Sequence, residues 1–162
     1  MQIFFLSNGL TIAFCFILWP VFQVSAALLC LKIPDRYLLA DGFLFRERNF
    51  EEKGALYEKV FKIRTWKRFL PDGGAVTRGG YRKKHIREYS KENLNRFLIE
   101  SCRAELSHLL AILPFWVYGL FAPPIVILYM FIYALLVNLP CIIAQRYNRP
   151  RIKKVLECLN RP

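Results

Sequence analysis

Charged residues divide the chain into four stretches. Residues 1–31 contain no Asp, Glu, Lys or Arg, residues 32–105 are densely charged, the forty residues 106–145 again carry no charge, and residues 146–162 are basic. A helix rises about 1.5 Å per residue, and about 20 apolar residues cross the hydrocarbon of a bilayer. The first stretch therefore predicts one crossing, placed at residues 10–31, with the polar residues 7–9 outside it. It has no basic n-region and is too long for a signal peptide. The second uncharged stretch is long enough for two crossings, and Pro123-Pro124 divides it, since neither proline suits a helix interior. Residues 106–122 and 125–145 thus predict a transmembrane hairpin. Pro20, Pro114 and Pro140 each remove one helical hydrogen bond within a span, which is tolerated where neighbouring groups satisfy the freed carbonyl.

Between the first and second crossings the pattern changes to helical amphipathicity. Asn49 is placed to cap a helix with Glu51 and Glu52 in its first turn, where the helix dipole favours anions. That helix is expected to run to Phe69 and stop before Pro71. Its apolar positions, Tyr57, Val60, Phe61, Ile63, Trp66 and Leu70, alternate with Lys53, Lys59, Lys62, Arg64, Lys67 and Arg68, as in a helix lying in the headgroup layer. Residues 71–80 hold four glycines and a proline and read as loop. A second helix is expected after Ser90, with Glu92 in its first turn and Leu94, Phe97 and Leu98 leading toward the membrane border.

The expected fold is an all-α integral membrane protein, one membrane domain over residues 1–162. Three transmembrane helices flank a basic, helical cytosolic segment at 32–105, and 146–162 forms a cytosolic tail. Hydrophobic content is 55 % and the formal net charge +12, a combination that suits a membrane protein with basic loops. Basic residues flank the hairpin on both sides and are missing from its turn, so the positive-inside rule places the amino terminus and the turn outside and the carboxyl terminus inside, in a multi-pass protein of the cell membrane. The five cysteines, Cys15, Cys30, Cys102, Cys141 and Cys158, have neither zinc-site nor C-x-x-C spacing and read as free thiols. No nucleic-acid motif occurs. The basic surface instead suits anionic membrane lipid, the phosphates of coenzyme A, or an acidic acyl carrier; topology determination alone is the plainer account of it.

Candidate chemistry lies in residues 100–114, ESCRAELSHLLAILP. Glu105 and His108 share a helix face, with Ser101 one turn below Glu105, and ionisable groups are costly at the edge of an apolar span. His108 lies 15 residues before Pro123 and Asn138 lies 14 after Pro124, so both stand roughly 22 Å from the turn at about 1.5 Å per residue. The same arithmetic brings Glu105 level with Cys141, just below Gln145, Arg146 and Tyr147. One reading makes His108 a general base oriented by Glu105. The other makes the pair an interhelical hydrogen bond. A metal site is disfavoured, because di-iron bundles use Glu-x-x-His twice and this chain has it once. His85, among Arg82, Lys83, Lys84 and Arg87, is the alternative base, and no cofactor is called for. Arg103, Asn138, Gln145, Arg146, Tyr147, Asn148 and Arg149 are the candidate substrate-binding residues.

IPDRY at 33–37, NFEEKG at 49–54, RTWK at 64–67, ESCRAELSHLLAILP at 100–114 and QRYNRPR at 145–151 resemble the glycosyl-4,4'-diaponeurosporenoate acyltransferase family, in order along most of the chain. That family carries out the last step of staphyloxanthin-type carotenoid biosynthesis. The resemblance implies a membrane acyltransferase that esterifies a fatty acyl chain onto the sugar 6-hydroxyl of a glycosylated carotenoid. Acyl-CoA or an acyl carrier protein is the expected donor. Two alternatives stand beside it: a non-enzymatic membrane scaffold for lipid or carotenoid enzymes, and an acyltransferase for another glycosylated lipid.

Overall fold

A computed structural model describes residues 2–70 and 90–160. Those residues form helices, 3-10 turns and loops, with no strand among them. The chain divides into two compact units. One runs to Lys32 and takes in Leu106–Leu139; the other comprises Ile33–Glu105 and the chain from Pro140 onward.

In the first unit, α1 (Asn8–Leu31) begins just after Ser7 and accommodates Pro20. The hairpin's second arm opens α5 (Pro124–Asn160), whose first residue is the second turn proline, a position that needs no N–H. Both helices are long and apolar enough to cross a membrane. A core helix of a soluble protein would pass the same length test but would be mostly buried. Here only 6 % of the apolar window of α1 and 22 % of that of α5 are buried, so their aliphatic and aromatic faces point outward. Outward-facing apolar stripes of this length mark a membrane-associated protein.

The hairpin's first arm differs from the expected continuous helix. α4 (Lys91–Ile112) gives way to a 3-10 segment, Leu113–Leu120. Pro114 is the physical reason, since it has no N–H for the i−4 carbonyl and its ring crowds that turn. The change lengthens the arm: at about 2.0 Å per residue in 3-10 geometry against about 1.5 Å in an α-helix, residues 106–120 reach roughly 26 Å. Around the turn, Tyr118, Phe121 and Ala122 are buried against Leu6, Cys15, Leu18, Phe22, Val126 and Met130. The backbone N–H groups of Ile3 and Phe4 both donate to the Leu120 carbonyl at 2.8 Å. Trp19 of α1 meets Tyr133 of α5 edge to face, ring centroids 4.7 Å apart.

In the second unit, the single helix expected from Asn49 to Phe69 is broken twice. A 3-10 turn covers Asn49–Gly54, then come α2 (Ala55–Phe61), α3 (Ile63–Trp66) and a final 3-10 turn, Lys67–Phe69. The cap position is Arg48, not Asn49, and the Arg48 N–H donates to Glu51 Oε2 at 2.6 Å. Glu52, Lys53 and Gly54 are all left-handed, with φ of 48°, 55° and 83°, and Lys62 follows with φ 47°. For Glu52 and Lys53 this conformation costs about 1–2 kcal/mol each. It is held by Glu47 Oε1, which accepts the Lys53 N–H at 2.6 Å. At Gly54 a Cβ would stand 3.2 Å from the Tyr147 carbonyl oxygen, so only glycine lets this turn lie against α5.

The breaks also revise the expected headgroup helix. Tyr57 and Ile63 are buried with Ala144 and Tyr147, and Trp66 and Leu70 pack beside them, while Val60 and Phe61 stay exposed. α4 starts where the sequence placed it: the Ser90 hydroxyl accepts the Asn93 N–H at 3.2 Å, and Leu94, Phe97 and Leu98 are buried. The basic tail is no separate element, because α5 continues through Pro140 and Pro150 to Asn160, about 55 Å in all at about 1.5 Å per residue.

Candidate functional site

Two polar centres stand out, one in each unit. The first is His108 with Asn138. Their hairpin register brings His108 Nδ1 to 2.8 Å from Asn138 Oδ1. Asn138 is fully buried, and its amide Nδ2 donates to the Ala134 carbonyl one turn back at 2.9 Å. That bond fixes which end of the amide faces the ring. An amide oxygen can only accept, so Nδ1 carries the proton and the ring's basic lone pair belongs to Nε2.

The second centre is a buried chain of alternating charges. Glu105, with no exposed surface, gives one carboxylate oxygen to Arg146 Nε at 2.7 Å and the other to Arg149 at 2.6 Å. Arg146 reaches on to Glu51 Oε1 at 2.9 Å and to the Leu44 carbonyl at 3.0 Å. Arg149 donates to the Phe45 carbonyl at 2.8 Å and approaches the Ser101 hydroxyl at 3.4 Å. The Tyr57 hydroxyl closes the chain with a short bond to Glu51. Burial pushes the Glu51 carboxyl up, but the bonds from Tyr57, the Arg48 N–H and Arg146 outweigh it and hold it below the ordinary carboxylate value. Burial and the neighbouring Glu51 push the Tyr57 phenol up. A small, shallow cleft opens beside the chain, lined by Phe45, Glu47, Glu51, Arg146, Arg149, Pro150 and Lys153. Of the positions read as base and orienting carboxylate, His108 bonds Asn138 and Glu105 bonds two arginines.

The other predicted residues divide. Tyr147 is buried, and its hydroxyl accepts the Arg64 Nε–H at 2.9 Å. Asn148 accepts from Lys67 Nζ at 3.0 Å. Arg103 donates to the Ile33 carbonyl at 2.8 Å and pairs with Asp35 and Glu100, so it anchors the IPDRY turn. Gln145 is half-buried on α5. His85, with Arg82, Lys83 and Lys84, lies outside the described residues. Among the described residues, no cluster of three or more His, Cys, Asp or Glu gathers to hold a metal. The sequence reading missed Glu51 and Tyr57 as members of the charge chain. The available signal was Glu51 at the third position of a helical turn, where a carboxylate folds back on the cap N–H; its longer-range partners left no pattern in the chain.

A family model described as glycosyl-4,4'-diaponeurosporenoate acyltransferase matches residues 41–158. A protein of that name from Staphylococcus aureus strain bovine RF122 / ET3-1 is 36 % identical over 151 residues, covering 93 % of this chain and 91 % of the relative. Its counterpart in strain MRSA252 is 37 % identical over 152 residues with the same coverage, and that of strain USA300 is 35 % identical over 151. No solved structure matches the chain.

Proposed function

We infer the reaction from the family to which this chain belongs, the glycosyl-4,4'-diaponeurosporenoate acyltransferases. The protein is an O-acyltransferase of staphyloxanthin-type carotenoid biosynthesis and acts on a glycosylated carotenoid. The hydroxyl esterified is the sugar 6-hydroxyl, and the donor is a fatty acyl thioester of coenzyme A or of an acyl carrier protein.

His108 is the general base. Its Nε2 takes the proton of the sugar hydroxyl as that oxygen attacks the acyl carbonyl carbon. The new C–O ester bond forms, the C–S bond breaks, and the proton passes from His108 to the departing thiolate. Asn138 positions the ring in the tautomer this needs, and this pairing is the observation that carries the reading. Glu105, Arg146 and Arg149 have their charges committed to one another, to Glu51 and to main-chain carbonyls. We therefore assign them to holding the second unit together rather than to the substrate.

Three crossings complete the reading, with the amino terminus and the proline turn outside and the remainder of the polar chain in the cytosol. Besides the positive-inside pattern, the bonds from Ile3 and Phe4 to Leu120 and from Gln2 to the Phe121 carbonyl favour a common side for the amino terminus and the turn. The decisive test is lipid mass spectrometry of cells with and without the gene. A glycosylated carotenoid that gains one acyl ester only when the gene is present is the expected result. The same ester made by His108→Ala cells would remove His108 as the base.

A further inference from the structure

Three cations converge on one buried tyrosine. The Arg151 guanidinium lies over the Tyr147 ring with Cζ 3.5 Å from its centroid, Lys67 Nζ lies 4.7 Å from the same centroid, and Arg64 Nε bonds the hydroxyl. The three come from separate places: Arg64 from α3, Lys67 from the 3-10 turn after it, Arg151 from α5. Arg151 is fixed in place by its bond to the Tyr147 carbonyl at 2.7 Å and by Gly54, where a Cβ would stand 3.1 Å from its Nη1. Lys67 is fixed by Asn148.

Charge here is out of balance. Among the described residues one carboxylate, Glu58, lies within 4 Å of any of the three, 3.7 Å from Arg64. Burial and then the charges of Arg151 and Arg64 depress the Lys67 ammonium below the ordinary lysine value. The contrast with the Glu105 chain is direct, since there each guanidinium meets a carboxylate. Positive charge needed only for membrane orientation has no reason to gather on one ring, where like charges repel. Cation–π contacts return about 0.5–2 kcal/mol each. Among the described residues most of the guanidinium and ammonium donors have no carboxylate partner, and they keep access to solvent, since Arg64 is exposed and Lys67 and Arg151 are half-buried.

We propose that Arg64, Lys67 and Arg151, gathered on Tyr147, form a binding site for a phosphate group. A phosphate offers the multiple charged acceptors that two guanidinium forks and an ammonium can share. Resting on the acyl-transfer reading, the proposal assigns that phosphate to the acyl donor. A nucleotide-linked thioester donor presents one; an anionic phospholipid presents the same group and would occupy the site as a headgroup, not as the donor.

The test uses the full chain in nanodiscs of phosphatidylcholine, with coenzyme A as the soluble probe and phosphatidylglycerol vesicles as the lipid probe. Lys67→Met and Arg151→Gln should each weaken binding of one of these probes about tenfold or more, the range for a charge-assisted hydrogen bond. Lys154→Gln, an equal loss of charge at an exposed position of α5, should change it less than twofold. Lys67→Arg should restore binding, which separates loss of the site from loss of the fold. Discrimination with coenzyme A identifies a soluble donor, and discrimination with the vesicles alone identifies a lipid headgroup. If Lys67→Met, Arg151→Gln and Lys154→Gln behave alike with both probes, the site does not exist. These binding measurements do not depend on turnover, so a protein that binds phosphate but forms no ester would overturn the acyltransferase reading and leave the site standing.

Discussion

Asn138 holds His108 from thirty residues away, with Oδ1 2.8 Å from Nδ1, and is itself held by the Ala134 carbonyl. The pair defines a tautomer, and the tautomer makes a prediction that a simple helix–helix bond would not. His108→Gln keeps a hydrogen-bonding amide but has no base, and should lose about 10²–10⁴-fold in acyl transfer while accumulating normally. Asn138→Asp keeps the acceptor at Nδ1 and should retain more activity than Asn138→Leu, which removes it. A His108→Gln protein turning over at near wild-type rate, measured by ester formation per folded molecule, would end the general-base assignment.

Glu105 should behave as a stability residue. Replacing it with Leu strands the charge of Arg149 in a buried site, and breaking such a pair costs about 3–5 kcal/mol. Glu105→Leu should therefore accumulate poorly and melt early in detergent. The double change Glu105→Leu, Arg149→Met should recover part of the loss, since apolar groups of similar volume replace buried ion pairs well. A Glu105→Gln protein that melts like wild type yet loses more than a hundredfold in rate would return Glu105 to the chemistry.

Titration should expose the Glu51 end of the chain. Its carboxyl is held below the ordinary value, so the stability it contributes is full above the unfolded carboxylate pKa, about 4.3, and is lost as pH falls through the lower folded value. Tyr57 is shifted upward, so its contribution is full below about pH 10 and is lost as pH rises past it. Circular dichroism melts across pH should show wild type losing stability at both ends. Glu51→Gln should flatten the acid side and Tyr57→Phe the alkaline side.

Topology is testable with one native and two introduced thiols. Phe5 and Pro123 are exposed, and cysteines there should react with an impermeant reagent on intact cells. Native Cys158, exposed near the end of α5, should react only after permeabilisation. Labelling of Cys158 on intact cells, or protection of position 123, would contradict three crossings with the turn outside.

The sequence alone determined the features that depend on local pattern. Uncharged runs marked α1 and the hairpin, Pro123-Pro124 marked the turn, Ser90 marked the start of α4, and counting residues from the turn set His108 beside Asn138. Each of these follows from helical rise, proline chemistry or capping, which act over a few residues or along one straight element. Tertiary structure decided the rest. Left-handed residues 52–54 and Lys62 break the expected helix, and the first break sets Gly54 against the Tyr147 backbone. No propensity in the segment itself predicts that contact. The partners of Glu105 were likewise set by packing: Arg146 and Arg149 lie 41 and 44 residues beyond it, and Glu51 joins Arg146 across 95. A carboxylate that reads as catalytic by its position at a membrane border carries two guanidinium groups in the fold, because a buried charge must be neutralised.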